Sequence, residues 1–416
     1  MFDFAKRKIC ANQLTSMIKG IAALTPTLLL TLMFTSCMSS GYTDTAAGKS
    51  DTYINLNVST PTAQARANAP AGSTTGTSGS LKENETSPDP TDEEKIYSIR
   101  VWAFKSNTDE NAMPIGFKAE TGLSATGSHN VSMKLLRKAA GNLESIDLYI
   151  LLNAESIDVL NGSDCNTMTR KALKEATFDS NFGIKTDGSP QATTVPAKGL
   201  PISRVITNIN VKDNIADNAA AAAANPVSVP LVRAVSKLHF FFARKTGNDT
   251  ESVTVTRIEV NGETLTAASP VFPEAATNAE KDTKGLKGSF NGLTYLTKNL
   301  IFGGIATDQI KPVDDPKTYI RQPGEKAQDY MDRLSYLQEG CKSYLRETDK
   351  TITGKIYFKS NASLAERSVK FEIPDAFRNH ELVVYGYFSG EAFLDLNLQY
   401  YVANWNEKGA TNIEFN

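Results

Sequence analysis

At 416 residues the chain is long enough for two or three domains, each with its own core, and two is the expectation. Lys and Arg number 44 against 46 Asp and Glu, a formal net charge of -2, so no global basic field draws the chain to nucleic acid or to an anionic lipid surface. With 40% hydrophobic and 22% charged residues, the composition is that of a soluble globular protein apart from one apolar stretch near the start.

That stretch comes first. Lys6, Arg7, Lys8 and Lys19 precede "GIAALTPTLLLTLMFTSC", a basic region, an apolar run and small residues, which is the layout of an export signal. The run is interrupted by Pro26 and sits at the short limit for a membrane-spanning helix, so removal is expected rather than anchoring. Its end, Phe34-Thr35-Ser36-Cys37, resembles a bacterial lipobox, in which the cysteine is acylated and becomes the new N-terminus. Phe34 departs from the usual aliphatic residue, and the plainer reading is a cleaved signal with an incidental cysteine. Cys10 leaves with the signal and Cys37 would carry lipid, so Cys165 and Cys341 are the thiols of the mature body. One bridge between them is open in an oxidising compartment, but two free thiols are expected.

After Cys37 a small polar tether leads to Ile54, Leu56 and Val58, which alternate with Asn55 and Asn57 as in a half-buried strand. Residues from about Pro61 to Asp92 revert to Pro, Ala, Gly, Ser and Thr and end in the acidic run "DPTDEE", the composition of a linker. Arg66 is the one basic residue between Lys49 and Lys82. "KIYSIRVWAFKS" then sets Ile99, Val101 and Ala103 against Tyr97, Trp102 and Phe104, and "IDLYILLNAE" carries the continuous apolar run Leu148 to Leu152, as in a strand buried on both faces. A short helix is expected in "LNGSDCNTMTRKALKEATF" and a helical turn in the six alanines Ala219 to Ala224, ended by Pro226. "LPISRVITNINV" and "VSVPLVRAVSKLHFFFARK" alternate again.

In the second half, Asn261-Gly262 in "SVTVTRIEVNGETL" predicts a tight hairpin. Tyr330, Leu334, Leu337, Cys341 and Leu345 recur near helical spacing and predict one amphipathic helix. "GKIYFKS", "SVKFEI", "HELVVYGYF", "FLDLNLQYYVANW" and "TNIEFN" supply further strands. Many short strands with few helices predict a mainly β chain of two tandem β-sandwich domains, with the break near Arg233.

Little in the chain suggests chemistry. His129, His239 and His380 are too far apart in sequence for metal-ligand spacing, and no glycine-rich phosphate loop or nucleophile elbow is present. The acidic runs need no function beyond solvation, so no catalytic residue, metal or cofactor is expected and the chain reads as a non-enzyme. Tyr385, Tyr387, Phe388, Phe393, Tyr400, Tyr401 and Trp405 could face sugars, but at strand alternation such residues are more often core.

Several segments taken together resemble the fimbrillins, subunits of the type V pili of Bacteroidales: the end at Cys37, "QARANAP", "KIYSIRVWAF", "LPIS", "VPLVRAVSKLHF", "RNHELVVYGYF" and "VANW". The resemblance implies two transthyretin-like sandwiches, export as an outer-membrane lipoprotein, and cleavage between Arg66 and Ala67 by an arginine-specific protease of the gingipain kind. It divides the chain into a signal at 1–36, a propeptide at 37–66 bearing the leading strand of Ile54, Leu56 and Val58, and domains at 67–232 and 233–416. In such a subunit, loss of the leading strand opens a groove that a strand of another subunit fills, and an extracellular fimbrium grows. Ile413 and Phe415 mark the preferred donor strand, with "LDLNLQYYV" the other candidate. The implied partners are other fimbrial subunits, the protease, the outer membrane before maturation, and host or bacterial surface ligands. The alternative is a surface lipoprotein that binds glycans and never polymerises.

Overall fold

The computed structural model describes residues 52–60, 92–135, 144–162, 164–179, 184–185, 187–210, 215–216, 218–224, 226–247, 250–272, 294–322, 325, 327–337, 339–363, 365–373, 376–404 and 410–414. The first half carries β1 (Thr52–Ser59), β2 (Lys95–Lys105), β3 (Gly116–Thr126), β4 (Ser128–Leu135) and β5 (Ser145–Leu152). It continues with β6 (Thr177–Phe178), β7 (Ile202–Asn210), β8 (Ile215–Ala216), β9 (Val227–Pro230) and β10 (Val232–Arg233). The second half adds β11 (Ser236–Lys245), β12 (Val253–Val260), β13 (Ser269–Pro270), β14 (Leu300–Ile305), β15 (Lys311–Val313) and β16 (Glu339–Leu345). It ends with β17 (Ile352–Ser360), β18 (Arg367–Ile373), β19 (His380–Ser389), β20 (Asp395–Asn404) and β21 (Ala410–Glu414). Three short helices accompany them among the described residues: α1 (Arg170–Lys174), α2 (Ala219–Ala224) and α3 (Ala327–Leu334).

Two sheets enclose the first core. One has the order β10-β7-β5-β2-β3; in the other, β4 and β8 flank β1, and β9 also pairs with β1. Apolar residues at alternate positions of β1, β2, β4 and β5 meet between them, among them Leu56, Val101, Met133 and Ile150. Strand β5 is buried along both faces because its outer side, with Tyr149 and Leu151, belongs to another cluster. Strand β2 does the same with a twist. Ile99, Val101 and Ala103 face the first core and Trp102 and Phe104 face away from it, but a register shift between Ile96 and Ser98 puts Ile96 on the core side as well. Tyr97 sits at that bulge, half-buried.

The second core lies between β15-β11-β19-β20-β21, with β16 added on β11, and β14-β12-β17-β18. Phe240, Phe242, Phe302, Phe358 and Phe388 fill its middle. Chain continuity and a shared cluster join the halves. Trp102, Phe104 and Tyr149 pack with Val271, Phe272 and Tyr344, and β6 pairs with β13. The chain is thus mainly β with two sandwich cores. The passage between them has no linker: β10 belongs to the first half and β11 to the second, with fully buried Ala234 and Val235 between.

Two sequence expectations give way. Residues 339–345 are not a continuation of a helix; α3 ends at Leu334, and β16 runs antiparallel to β11 with a bulge at Phe240/Phe241. Cys341 and Leu345 are four apart, a spacing that places residues on one face of a strand as well as of a helix, and both enter the second core, whereas Leu337 precedes β16 and packs in another cluster; β11 offers an edge that only a strand can satisfy. Asn261-Gly262 is not a type I′ turn, which needs positive φ at both central residues. Asn261 has φ of -66° and caps a 3-10 turn, its Oδ1 accepting from Glu263 N at 3.1 Å, while β12 pairs with β14 and β17. A Cβ at Gly262 would lie 2.0 Å from the Lys298 carbonyl oxygen, so close approach is what this glycine permits. The expected short helix is α1, and its cap is Thr169, whose hydroxyl accepts from Ala172 N. Cys165 and Cys341 are buried in different clusters and are not joined in a disulfide.

A polar network runs through the seam. Lys237 Nζ lies 3.1 Å from Glu93 and 3.3 Å from Glu381, and His239 Nδ1 is 3.1 Å from the same Glu381 oxygen. Burial pushes the Glu381 carboxyl up, but Lys237 and His239 outweigh it and hold the group near 2. Burial likewise opposes ionisation of Glu93, and Lys237 and Arg233 pull it below its ordinary value. A depressed carboxylate stabilises the fold above its unfolded value, and that stability disappears as pH falls through the folded one. Thermal stability is therefore expected to fall between about pH 4.5 and about pH 2. Melting curves of Glu381→Gln should show a shallower acid slope than the parent; equal slopes would remove Glu381 from the acid response.

Candidate functional site

The feature most unlike an ordinary sandwich is the position of β1. It is the first described element, followed by residues 61–91, and yet it is an interior strand. On one side it pairs antiparallel with β4 along its whole length, from Thr52↔Leu135 to Ser59↔Ser128. On the other it pairs antiparallel with β8 at Tyr53↔Ala216 and parallel with β9 from Leu56↔Val227 to Ser59↔Pro230.

The sequence alternation explains what it buries. Ile54, Leu56 and Val58 each have 0% exposure and sit in the first core. At roughly 1.5–3 kcal/mol for each aliphatic side chain, the three together contribute on the order of 5–9 kcal/mol, comparable with the whole stability of a typical domain. The other face is polar. Asn57 Nδ2 donates to Asn130 Oδ1 at 2.7 Å across the β1–β4 pair. The strand's end is tied on both sides: Thr60 N donates to Gly127 O at 2.7 Å, and Leu231 N donates to Ser59 O at 3.0 Å. Helix α2 runs beside β1 and β4, its first turn held by Asn218 Oδ1 accepting from Ala221 N at 2.8 Å.

Withdrawing β1 would leave the edges of β4 and β9 about 10 Å apart, twice the interstrand spacing. Both edges would carry unpaired N–H and C=O groups above a floor of exposed aliphatic side chains. Such a slot accepts one strand, alternating apolar and polar, that runs antiparallel to β4 and parallel to β9.

The other residues singled out by sequence fall as follows. Cys37, Arg66, Ala67, Trp405 and Phe415 lie outside the described residues. Ile413 is in β21, which pairs antiparallel with β20 through Tyr400↔Ile413 at the margin of its sheet, so the structure does not bring it to β1. Residues 395–404 of "LDLNLQYYV" and its continuation form β20, held between β19 and β21. Tyr385, Tyr387, Phe388, Phe393, Tyr400 and Tyr401 are buried, in the second core or beneath α3, and present no aromatic platform to a sugar. His129 pairs with Glu120 at 3.0 Å, His239 with Glu381, and His380 Nδ1 lies 2.9 Å from the Arg378 carbonyl. Asn130, Gly127 and the parallel partner β9 were not legible in the sequence, because each meets β1 only after long-range pairing.

No protein-family profile and no curated protein matches the chain. Among solved structures it is similar to the tip fimbrial protein Mfa3 of Porphyromonas gingivalis, with a TM-score of 0.46 and 12% identity over 85% of this chain and 100% of that one. It is similar to a fimbrial assembly protein of Parabacteroides distasonis, with a TM-score of 0.40 and 12% identity over 88% of this chain and 100% of that one. A fimbrilin of Porphyromonas gingivalis gives a TM-score of 0.38 and 10% identity over 84% of this chain and 97% of that one.

Proposed function

We propose that the chain is a structural subunit of a cell-surface fimbria that assembles by strand exchange and supports adhesion, with β1 as a removable plug. The observation that carries this reading is the interior placement of β1, with Ile54, Leu56 and Val58 fully buried, directly ahead of a stretch whose one arginine is Arg66. A strand integral to the sheet and joined to the rest through a cleavable stretch is held by pairing and burial alone once that stretch is cut. The vacated slot then takes a strand of the same alternation from another subunit. In this reading Cys37 carries the lipid that holds the precursor at the outer membrane, and cutting after Arg66 frees the subunit. The segment with Ile413 and Phe415 is the donor, because β21 lies at a sheet margin and leaves without breaking a sheet in two.

Treating the precursor with an arginine-specific protease should yield a chain beginning at Ala67 and a ladder of oligomers on non-denaturing gels. Arg66→Ala should block both. Complete cleavage that leaves only monomer would overturn strand exchange.

A further inference from the structure

Directly after residues 61–91, the chain enters a 3-10 turn, Asp92–Glu94, and then β2. This short entry is tied down more heavily than a strand start requires. Glu93 Oε1 accepts from Tyr344 Oη at 2.7 Å and from Lys237 Nζ at 3.1 Å, and those two residues belong to β16 and β11 of the second half. Glu94 is buried, and its carbonyl accepts from Gly127 N at 3.1 Å. Two residues on, the bulge in β2 is closed by Asn153. Its Oδ1 accepts from Tyr97 N at 2.8 Å, and its Nδ2 donates to Lys95 O at 2.9 Å and to Leu200 O at 2.8 Å. Asn153 is fully buried with φ of 58°, and a Cβ on Gly199 would lie 2.4 Å from its Nδ2, so the backbone around it is shaped to admit the amide.

We infer that Glu93 and Asn153 form an anchor that holds the entry of β2 in place when the chain ahead of it is cut and β1 is withdrawn. The inference rests on the proposed removal of β1 and adds how the rest of the sheet survives it. A strand that loses the strand before it and the connection between them frays at its start unless something other than chain connectivity holds it. Here fraying would be costly, because β2 supplies Val101 to the first core and Trp102 to the seam. Of the ties described, Thr60 N to Gly127 O leaves with β1. Those of Glu93 and Asn153 do not involve β1 at all. Glu93 is fastened to β11 and β16, so the second half acts as a fixed post for the first. Glu93 is a positioning residue, and its partners Lys237 and Tyr344 share that role.

Hydrogen exchange on the full-length chain, intact and after cutting with an arginine-specific protease, tests this. In the parent, amides from Ile96 to Ile99 should change by less than about twofold on cutting. In Glu93→Gln they should exchange about tenfold faster than the parent before cutting and faster again after it, with β5 and β7 unaltered. Tyr344→Phe removes a single hydroxyl from the same anchor and should give a smaller rise at the same amides, which keeps the test alive if Glu93→Gln does not fold. A rise spread evenly over all strands in Tyr344→Phe, or none at Ile96 to Ile99 in either variant, would overturn the anchor. A cut chain that stays monomeric but keeps the entry of β2 protected in the parent and not in the variants would sink the assembly mechanism and support the anchor.

Discussion

Leu56→Asp is expected to drive β1 from its sheet and to make the uncut protein self-associate. Leu56 has 0% exposure between the two sheets of the first sandwich, and an ionised carboxylate placed there would lose its water without gaining a partner, at a cost of several kcal/mol. That cost is similar to what the three apolar side chains of β1 contribute together, so the strand no longer holds its place. Ejected, it stays tethered through residues 61–91, and the slot between β4 and β9 stands open. Size-exclusion chromatography with light scattering should show dimers and larger species without any protease, and the urea midpoint of the remaining monomer should drop. Leu56→Met conserves volume and should cost less than about 1.5 kcal/mol, leaving a monomer. An aspartate variant that stays monomeric with an unshifted midpoint would mean that β1 is dispensable to the fold, and the plug reading would fall with it.

The second large effect is expected in the seam. Arg378 and Glu347 are both fully buried and 2.8 Å apart, and Arg378 also donates to the Pro270 carbonyl at 2.7 Å and the Val271 carbonyl at 3.2 Å. Its backbone N–H donates to the other Glu347 oxygen at 3.0 Å, so one carboxylate is held by both ends of one residue. Arg378→Met removes the guanidinium from that carboxylate in a fully buried site and should destabilise the protein by about 3–5 kcal/mol. Removing the acid as well, in Arg378→Met with Glu347→Leu, should recover most of the loss, because an apolar pair avoids the desolvation cost of the ion pair. Urea unfolding followed by tryptophan emission, to which Trp102 contributes from its edge-on packing against Phe272 in the same seam, measures both. If the single variant costs less than about 1 kcal/mol, the pair is not a structural element of the seam.

The elements differ in how far sequence alone reached them. Ile54, Leu56 and Val58 alternate with asparagines, and the buried face of β1 is the face this alternation predicts. The apolar run Leu148 to Leu152 of β5 was enough to place it inside, since a strand covered on both sides can carry successive apolar residues. In 339–345 the pattern was degenerate: a spacing of four suits a helix face and a strand face equally, and the edge of β11 chose between them. At Asn261-Gly262 the dipeptide was right for a turn but the strands that pair with β12 come from much further along the chain, so no hairpin forms.

The polar ties were illegible for a different reason. Glu93, Lys237, Tyr344 and Glu381 look like ordinary surface residues in sequence, and so do Glu347 and Arg378. Their burial follows from two sandwiches closing on each other. Sequence periodicity records which side of a strand faces apolar surroundings, because that is a local property repeated every second residue. It does not record which strands become neighbours, and so the sequence determined that β1 is a half-buried strand beside a lone arginine. Only the tertiary structure decided that this strand lies inside a sheet, between β4 and β9, where its removal leaves a slot of one strand's width.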